Sequence, residues 1–273
     1  MLPGATADRD DAAYVVVGAP LDISTSFRPG TRFGPERVRR FARTFEDYHH
    51  EFDAHFSELS VHDAGDVHAW TNAEEYLDYL EGTLRDVRWD DAIPVLVGGE
   101  HTVSVAGVRA VEPDVYVALD AHLDLREAYE GNAHSHATVT HHALQTADEV
   151  VILGARSGSE AEWERARDDD AITVVQPEDV AGWISGVDDA FDADASLYVS
   201  VDIDAADPGV APGTGTPEPF GLDSQTMRDV VRSIAPRADA FDVVEVNDDD
   251  DGQAAVLAAK LLREFVFAHA AHD

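Results

Sequence analysis

The chain has 273 residues, of which 44% are hydrophobic, which is enough for a large α/β core and excludes a disordered protein. Its 55 acidic and 19 basic residues give a formal net charge of −36, which argues against nucleic acid as a partner because phosphate binding needs a basic patch. Cysteine is absent, so disulfides and thiolate metal sites are excluded, and no apolar run approaches the ~18 residues of a membrane span.

Acidic residues run through every segment of the chain, and Lys260 is the only lysine. At about 1 M salt the Debye length is roughly 3 Å, so the mutual repulsion of such a surface is screened. This composition favours a salt-adapted protein, and the alternative is an unusually acidic protein of a low-salt cell. The N-terminal segment has neither the basic start nor the apolar centre of a signal peptide, and we therefore expect a cytoplasmic protein.

Short β-branched runs that alternate with helical stretches predict the fold. Seven or eight continuous apolar strands, most of them joined by helices, imply a parallel sheet that is covered on both faces. We therefore predict an α/β fold, a three-layer α/β/α sandwich with a mostly parallel central sheet of about eight strands, in one domain that spans residues 1–273. The predicted strands are 14–20, 93–99, 115–120, 149–155, 172–175, 197–204 and 241–246.

Capping residues mark where several of the helices begin. Pro35 is placed as the first-turn proline of a helix that is predicted to continue to residue 50. Asn72 is positioned to cap the following helix, and either Ser157 or Ser159 is positioned to cap a later one. Two more helices are predicted at 222–235 and 254–270.

Three of the predicted strands end in acidic and histidine side chains. In an open parallel sheet the ligand site lies beyond the carboxyl ends of the strands. About one residue in five is acidic, so a single pair of acids is more often a solvated surface feature. Alternate residues share one face of a strand, so each of these sets is expected to converge on one point. The residues are Glu100 and His101; Asp120, His122 and Asp124; and Asp202 and Asp204.

Several carboxylates packed together repel one another unless a cation lies among them. Four carboxylates and two imidazoles match the ligand set of two divalent ions. Oxygen-rich ligation with imidazole and without sulfur favours Mn²⁺, with Zn²⁺, Fe²⁺ or Co²⁺ as lesser candidates. Two such ions close together lower the pKa of a water held between them. The residues therefore predict a two-metal hydrolase.

Five stretches of the chain resemble the ureohydrolases, the family of arginase and agmatinase. GGEHTV, DAHLDLR and SVDIDAADPGVAPGTGTPEPFG resemble the three motif blocks of the family in order and spacing. GAPLDISTSFRPGTRFGPERVR resembles the N-terminal segment of the agmatinase branch, and FDVVEVN resembles the strand with the guanidinium-binding acid. The five stretches span residues 18–247. The resemblance implies the three-layer α/β/α fold, a pair of Mn²⁺ ions and assembly into homotrimers or homohexamers.

The resemblance also implies roles for individual residues. Asp124 would accept a proton and pass it to the leaving amine, and Glu245 would bind the guanidinium group through both of its oxygens. His136 would orient the substrate or relay protons. Arg28, with Pro29 and Gly30, forms either a tight turn or part of a loop that closes the substrate mouth and contacts substrate. The implied metal ligands are His101, Asp120, His122, Asp124, Asp202 and Asp204, with Asp120 and Asp202 bridging the two ions.

The implied reaction is hydrolysis of a guanidino group to urea and an amine. The N-terminal segment favours agmatine, a small cationic substrate, over a guanidinobutyrase, an arginase, another guanidino-acid ureohydrolase or a formimidoylglutamase. The alternative outside catalysis is a metal-binding or polyamine-binding protein on the same fold. Four positions depart from the family pattern, namely Glu100, Thr102, Phe220 and Asp248. Glu100 and Thr102 are not ligand positions, whereas Phe220 and Asp248 leave the shape of the substrate mouth open.

Overall fold

The computed structural model describes residues 1–68, 71–247 and 250–272. Its centre is an eight-stranded sheet in which every strand pair is parallel, as the sequence predicted. The spatial order is β4-β1-β5-β10-β9-β6-β7-β8, and β2 and β3 form a separate antiparallel pair. The strands are β1 Tyr14–Ala19, β2 Tyr48–His49, β3 Ala54–His55, β4 Val61–Asp66, β5 Ile93–Gly98, β6 Val115–Leu119, β7 Glu149–Leu153, β8 Ile172–Val175, β9 Leu197–Asp202 and β10 Ala238–Val244.

Helices cover both faces of the sheet and complete the predicted three layers. Because alternate strand residues point to opposite faces, Val117 packs into the hydrophobic cluster under α1, α7 and α8, whereas Tyr116 and Ala118 pack into the cluster under α2 and α3. None of the helices in the described ranges has the length and apolar character of a membrane span. The helices are α1 Gly34–Phe41, α2 Ala73–Trp89, α3 Ser104–Val111, α4 Val139–Ala143, α5 Glu160–Asp168, α6 Val180–Ile184, α7 Ser224–Ile234 and α8 Gln253–Ala270.

The predicted helix caps are confirmed. The Asn72 side chain accepts a hydrogen bond from the Glu75 backbone N (3.3 Å) at the start of α2. Of the two serines proposed for the later helix, Ser159 is the cap, and it forms a reciprocal capping box with Glu162. These caps fix where α2 and α5 begin, and the start of α5 lies beside the functional site described below.

The prediction of one helix from Pro35 to residue 50 was wrong. Helix α1 ends at Phe41, and the chain continues through a short turn into the β2–β3 hairpin. Phe45, Phe52 and Phe56 are spaced as on one face of a helix, which explains the prediction. In the structure these rings pack on α8 instead, and the rings of Phe52 and Phe267 stack at 5.8 Å. Phe56 is fully buried at the same place. Tertiary packing therefore overrides the local helical preference.

Strand β4 was not predicted because it is a polar edge strand. Its sequence, VHDAGD, contains few of the β-branched residues that mark the interior strands. Its stability comes partly from charge, since the buried Asp63 accepts two hydrogen bonds from Arg39, at 2.8 Å each. An ion pair of this kind leaves no apolar pattern in the sequence.

Candidate metal centre

The four central strands of the sheet place acidic and histidine side chains at one edge. Strands β5, β10, β9 and β6 are neighbours, and parallel strands present their carboxyl ends on the same side. His101 follows β5, Asp120 follows β6, Asp202 ends β9, and Glu245 follows β10. The fold therefore brings together residues that are more than 140 positions apart in the sequence. His101 and Glu245 are an example, because the backbone N of His101 donates a hydrogen bond to the Glu245 carboxylate.

His101, Asp120 and Asp124 form one cluster of buried groups that is able to hold a metal ion. The Nδ1 atom of His101 lies 3.1 Å from Asp120 Oδ2, 3.1 Å from Asp124 Oδ2 and 3.5 Å from Asp202 Oδ2. One imidazole nitrogen carries at most one proton, so it cannot satisfy three carboxylate oxygens. Among the described residues, Asp120 Oδ2 is buried and accepts no hydrogen bond. A cation between these oxygens fits the arrangement.

A second cluster shares Asp120 with the first and adds His122 and Asp204. The Nδ1 atom of His122 lies 3.0 Å from Asp204 Oδ2 and 3.7 Å from Asp120 Oδ1. Asp202 is tied to this cluster because its Oδ1 accepts a hydrogen bond from the Asp204 backbone N at 2.8 Å. All six side chains that the sequence analysis named as ligands therefore meet at one place, and Asp120 stands between the two clusters.

The electrostatics of the cluster favour positive charge. Burial, followed by the neighbouring Asp120, raises the pKa of the Asp124 carboxyl to about 7. Burial also raises the pKa of Asp202 well above its ordinary value, and the nearby Asp204 and Asp120 act in the same direction. Carboxylates that resist ionisation in this way gain most from a bound cation, because the cation reverses both the burial penalty and the repulsion.

A buried polar network on the far side of His101 fixes the orientation of its ring. His101 Nε2 lies 3.2 Å from Ser200 Oγ and 3.1 Å from the Tyr116 hydroxyl. Ser200 Oγ donates to Asp242 Oδ1 (2.6 Å) and Tyr198 donates to Asp242 Oδ2 (2.7 Å). Since the Ser200 proton points to Asp242, the serine accepts from His101 Nε2–H, and Nδ1 is left to face the carboxylates. The sequence analysis missed this network, although an acid inside the apolar run FDVVEV was a usable signal.

Glu245 stands beside the cluster with one oxygen engaged and the other directed toward a glycine. Its Oε1 accepts a hydrogen bond from the His101 backbone N at 2.8 Å. A Cβ atom at Gly215 would lie 3.3 Å from its Oε2, so the glycine preserves space next to this oxygen. Burial, with Glu100 and Asp204 nearby, raises the pKa of Glu245 to about 8, and a guanidinium beside it would favour the ionised form.

His136 is held at the cluster's rim by the segment that follows β1. Its backbone N donates to Ser24 Oγ (3.0 Å), and its ring nitrogens lie 3.3 Å from Ser24 Oγ and 3.2 Å from Ser26 Oγ. Ser24 is held in turn by Glu100, which accepts from its backbone N and its hydroxyl at 2.8 Å each. Burial, followed by the charge of His122, lowers the pKa of His136 to about 4, so its ring is neutral at neutral pH. Glu100, one of the positions that depart from the family pattern, therefore helps to position His136 through Ser24 and does not act on the metal cluster.

Arg28 lies on the same segment, next to the cavity that opens above the cluster. This cavity has a volume of about 490 Å³, and Ser26, Phe27, His122 and His136 are among its lining residues. The Arg28 guanidinium lies 5.2 Å from the centre of the Phe27 ring. Its carbonyl oxygen accepts a hydrogen bond from Asn247 Nδ2 at 2.8 Å. Arg28 directly follows the lining residue Phe27 and does not itself line the cavity, so its position at the mouth and its contact with substrate stay predictions. Asp248 lies outside the described residues.

Arg156, which follows β7 and holds the loops around the site, was not predicted from the sequence. Its guanidinium donates to backbone carbonyl oxygens on both sides of the second cluster, so it joins the turn after β9 to the loop with Thr216 and Glu218. No acid precedes or follows it in a recognisable pattern, and only the folded geometry reveals this role. The acceptors are Gly154 O, Asp204 O, Ala205 O, Ala206 O, Glu218 O and Pro219 O, at 2.7–3.2 Å.

A parallel α/β sandwich with paired His and Asp clusters at the ends of its central strands defines a metal-dependent hydrolase. Residues 12–268 match the sequence pattern of the arginase family. An agmatinase of Pyrococcus horikoshii is 35% identical over 270 residues, covering 94% of this chain and 92% of that protein. An N(1)-aminopropylagmatine ureohydrolase of Thermococcus kodakarensis is 33% identical over 267 residues, covering 93% and 89%.

A solved structure shows the same likeness in three dimensions. The agmatine ureohydrolase of Thermoplasma volcanium superposes with a TM-score of 0.93 at 33% identity, covering 99% of this chain and 94% of that one. The chain belongs to the arginase family, whose members are binuclear-metal hydrolases. The His and Asp clusters of this chain fit such a binuclear centre.

Proposed function

We propose that the protein hydrolyses agmatine to putrescine and urea. The observation that carries the proposal is the position of Glu245, whose carboxylate lies directly beside the paired clusters and faces the space kept by Gly215. A carboxylate binds the planar guanidinium group through two parallel hydrogen bonds, so this position suits a guanidino substrate. The names of the relatives from Pyrococcus horikoshii and Thermoplasma volcanium support agmatine among the guanidino compounds.

Two Mn²⁺ ions are the cofactor that the side chains favour, because the set contains four carboxylates and two imidazoles and no sulfur. The residues that would hold them are the five residues of the two clusters together with Asp202. When bound, such ions supply Lewis-acid activation of water at neutral pH. The buried network behind His101 would keep the Nδ1 lone pair of that ring available to an ion.

The side chains of this chain divide the remaining work. Glu245 binds the guanidinium nitrogens and fixes the orientation of the guanidino carbon. Asp124 Oδ2, 3.1 Å from His101 Nδ1, takes up the proton that leaves the attacking water and delivers it to the departing amine nitrogen. His136, with a neutral ring, orients the substrate from the rim. The C–N bond to the substituted nitrogen breaks, the oxygen of the water becomes the oxygen of urea, and both protons of the water end on the departing nitrogen, which leaves as an alkylammonium ion.

The test is urea release by the purified, manganese-loaded protein in buffer with molar salt. We expect urea from agmatine and a loss of turnover by at least about 100-fold in Asp124→Asn, since the variant lacks the proton acceptor. Urea from arginine or guanidinobutyrate in place of agmatine would refute the substrate assignment alone. Metal binding with no urea from any guanidine would favour a metal-binding or polyamine-binding protein. Full activity in Asp124→Asn would refute the role given to that residue.

We further propose that residues 1–273 are one ureohydrolase domain, which works as a homotrimer or homohexamer in a salt-rich cytoplasm. The net charge of −36 supports salt adaptation, because the repulsion between so many acids is screened only at high ionic strength. Thermal unfolding should therefore shift to lower temperature as salt is withdrawn. Equal stability in dilute and in molar salt would refute salt adaptation, and light scattering in molar salt measures the assembly.

A further inference from the structure

The cavity above the paired clusters is lined by three carboxylates, and they are not equivalent. Asp124 belongs to the first cluster. Glu162 is occupied by other partners, because it accepts hydrogen bonds from Leu125 N (3.2 Å) and Ser159 Oγ (2.6 Å) and pairs with Arg126 (3.1 Å). The third is Glu218, which lies in the loop after β9.

The carboxylate of Glu218 has spare capacity. It accepts one hydrogen bond, from Ser157 Oγ at 3.0 Å, and its Oε1 lies 3.9 Å from His122 Nε2. Its side chain is 37% exposed, and in the part of the chain that the structure describes no arginine or lysine pairs with it. The His122 ring stays beyond hydrogen-bond distance, and Arg156 acts on Glu218 through its charge, without a hydrogen bond to the carboxylate. A carboxylate with an oxygen free of hydrogen bonds that faces a cavity attracts a positively charged ligand group.

The backbone around Glu218 is rigid, so its side chain is presented from a fixed position. Arg156 donates to the carbonyl oxygens of Glu218 (2.7 Å) and Pro219 (3.0 Å) from the same guanidinium that holds Asp204 O (2.9 Å). The loop is therefore tied to the turn that carries a predicted metal ligand. Groups held in advance bind a ligand at a lower entropic cost than groups on mobile loops.

One short loop segment connects the surroundings of Glu245 with Glu218. Gly215 lies against Glu245 Oε2, and Glu218 is three residues further along the same loop. Three residues span at most about 10 Å, and the four-carbon chain of agmatine with its terminal nitrogen spans roughly 7 Å at about 1.5 Å per bond. The span of this loop segment is therefore of the same order as the length of agmatine.

We propose that Glu218 determines specificity by binding the cationic nitrogen that lies four carbons from the guanidino group. This inference rests on the proposed ureohydrolase activity. The contact with Glu218 favours substrates with a positively charged distal nitrogen, such as agmatine. It disfavours guanidino acids, because their distal carboxylate would face the carboxylate of Glu218. N(1)-aminopropylagmatine carries a secondary amine at the same position, so the contact with Glu218 accepts this compound as well. Glu218 therefore discriminates between cationic and anionic substrates and does not discriminate between agmatine and N(1)-aminopropylagmatine.

The experiment compares Glu218→Gln with wild type on agmatine, butylguanidine and 4-guanidinobutyrate. All three compounds carry the guanidino group on a chain of four carbons. The fourth carbon bears an ammonium group in agmatine, bears only hydrogens in butylguanidine and is the carboxylate carbon in 4-guanidinobutyrate. We expect kcat/KM for agmatine to fall about 10- to 100-fold, mainly through KM, because a charge-assisted contact is lost. Butylguanidine should change less than about 2-fold, and guanidinobutyrate should improve. Assays in molar salt exclude long-range steering as the cause.

The control is Glu127→Gln, which removes the same charge from an exposed position outside the cavity lining. It should leave all three substrates unchanged, and Glu218→Asp, which keeps the charge, should retain part of the preference for agmatine. If Glu218→Gln turns over agmatine as well as wild type does, the inference is wrong. If agmatine and butylguanidine fall equally, Glu218 acts through His122 and the inference is again wrong. If wild type releases no urea from agmatine, the proposed function itself fails.

Discussion

Replacement of Arg156 by lysine tests whether one guanidinium holds the loops of the metal centre together. The arginine donates from all three of its nitrogen atoms, and its acceptors are six backbone carbonyl oxygens in three separate segments. A lysine ammonium has three donors and lacks the planar fork that spans the segments. At least three carbonyl oxygens, among them those of the loop with Glu218, would lose their partner.

The expected loss of stability follows from that count. A hydrogen bond contributes about 1 kcal/mol net, so Arg156→Lys should lower the free energy of unfolding by about 3 kcal/mol. For a chain of this length, 1 kcal/mol corresponds to roughly 2–4 °C in the unfolding temperature, which gives a decrease of roughly 6–12 °C. Urea release from agmatine should decrease as well, because Asp204 and Glu218 both depend on the loops that the guanidinium joins.

Thermal unfolding in molar salt measures the effect, with Arg228→Lys as the matched control. Arg228 is a surface residue that pairs with the adjacent Asp229 at 2.6 Å, so its replacement should shift the unfolding temperature by less than about 2 °C. If both lysine variants unfold within about 2 °C of wild type, the contacts of Arg156 contribute little and the reasoning is refuted. A loss of stability without any change in activity would refute only the link to the site.

Three further outcomes follow from local geometry. Phe220 is 86% exposed with φ 66°, so Phe220→Gly should raise the free energy of unfolding by about 1 kcal/mol; a lower unfolding temperature would contradict this. Burial, followed by the neighbouring Asp120, raises the pKa of Asp124 to about 7. The protonated carboxyl therefore stabilises the metal-free protein. This contribution is complete at pH values below the ordinary pKa of an aspartate and is lost as the pH rises through 7. Because Mn²⁺ displaces that proton, its stabilising effect should be larger at pH 8 than at pH 5.5, and equal effects would refute the linkage. Ser200→Ala should weaken Mn²⁺ binding about 10- to 100-fold, measured by titration calorimetry, since it frees the His101 ring; unchanged affinity would contradict this.

The sheet and the meeting of the six His and Asp side chains were predictable because their signals are local in the sequence. Most of the interior strands are nearly continuous apolar runs, and acids follow where a run ends, as Asp120 follows β6. A parallel sheet then brings these ends together without any information about long-range contacts. Even the departure at Phe220 was visible in the sequence, and the structure shows that its backbone is in the left-handed region that favours glycine.

The supporting residues were not predictable because their roles depend on distant partners. Arg156 acts on carbonyl oxygens up to 63 positions away, and Ser200 joins His101 across 99 positions. The β2–β3 hairpin forms because aromatic residues pack against α8, not because its own sequence resembles strands. Glu218 lies inside the third motif block, but the motif does not indicate its role, and only the cavity shows that its carboxylate has spare capacity.

The geometry of the acids explains why the site depends on the large core beneath it. Asp124 and Glu245 both adopt left-handed backbone, with φ of 50° and 60°, which costs a residue with a side chain about 1 kcal/mol or more. Hydrogen bonds hold both turns, since Leu125 N donates to Glu162 and Glu245 N donates to Gly99 O at 2.8 Å. These turns direct the carboxylates to one point, where burial and repulsion oppose folding of the metal-free chain. Burial of the hydrophobic clusters on both faces of the sheet offsets this unfavourable free energy, because it stabilises the strands that directly precede the acidic residues. A sheet that holds mutually repelling carboxylates in place is a preorganised cation site, so ions that bind there need not order the chain.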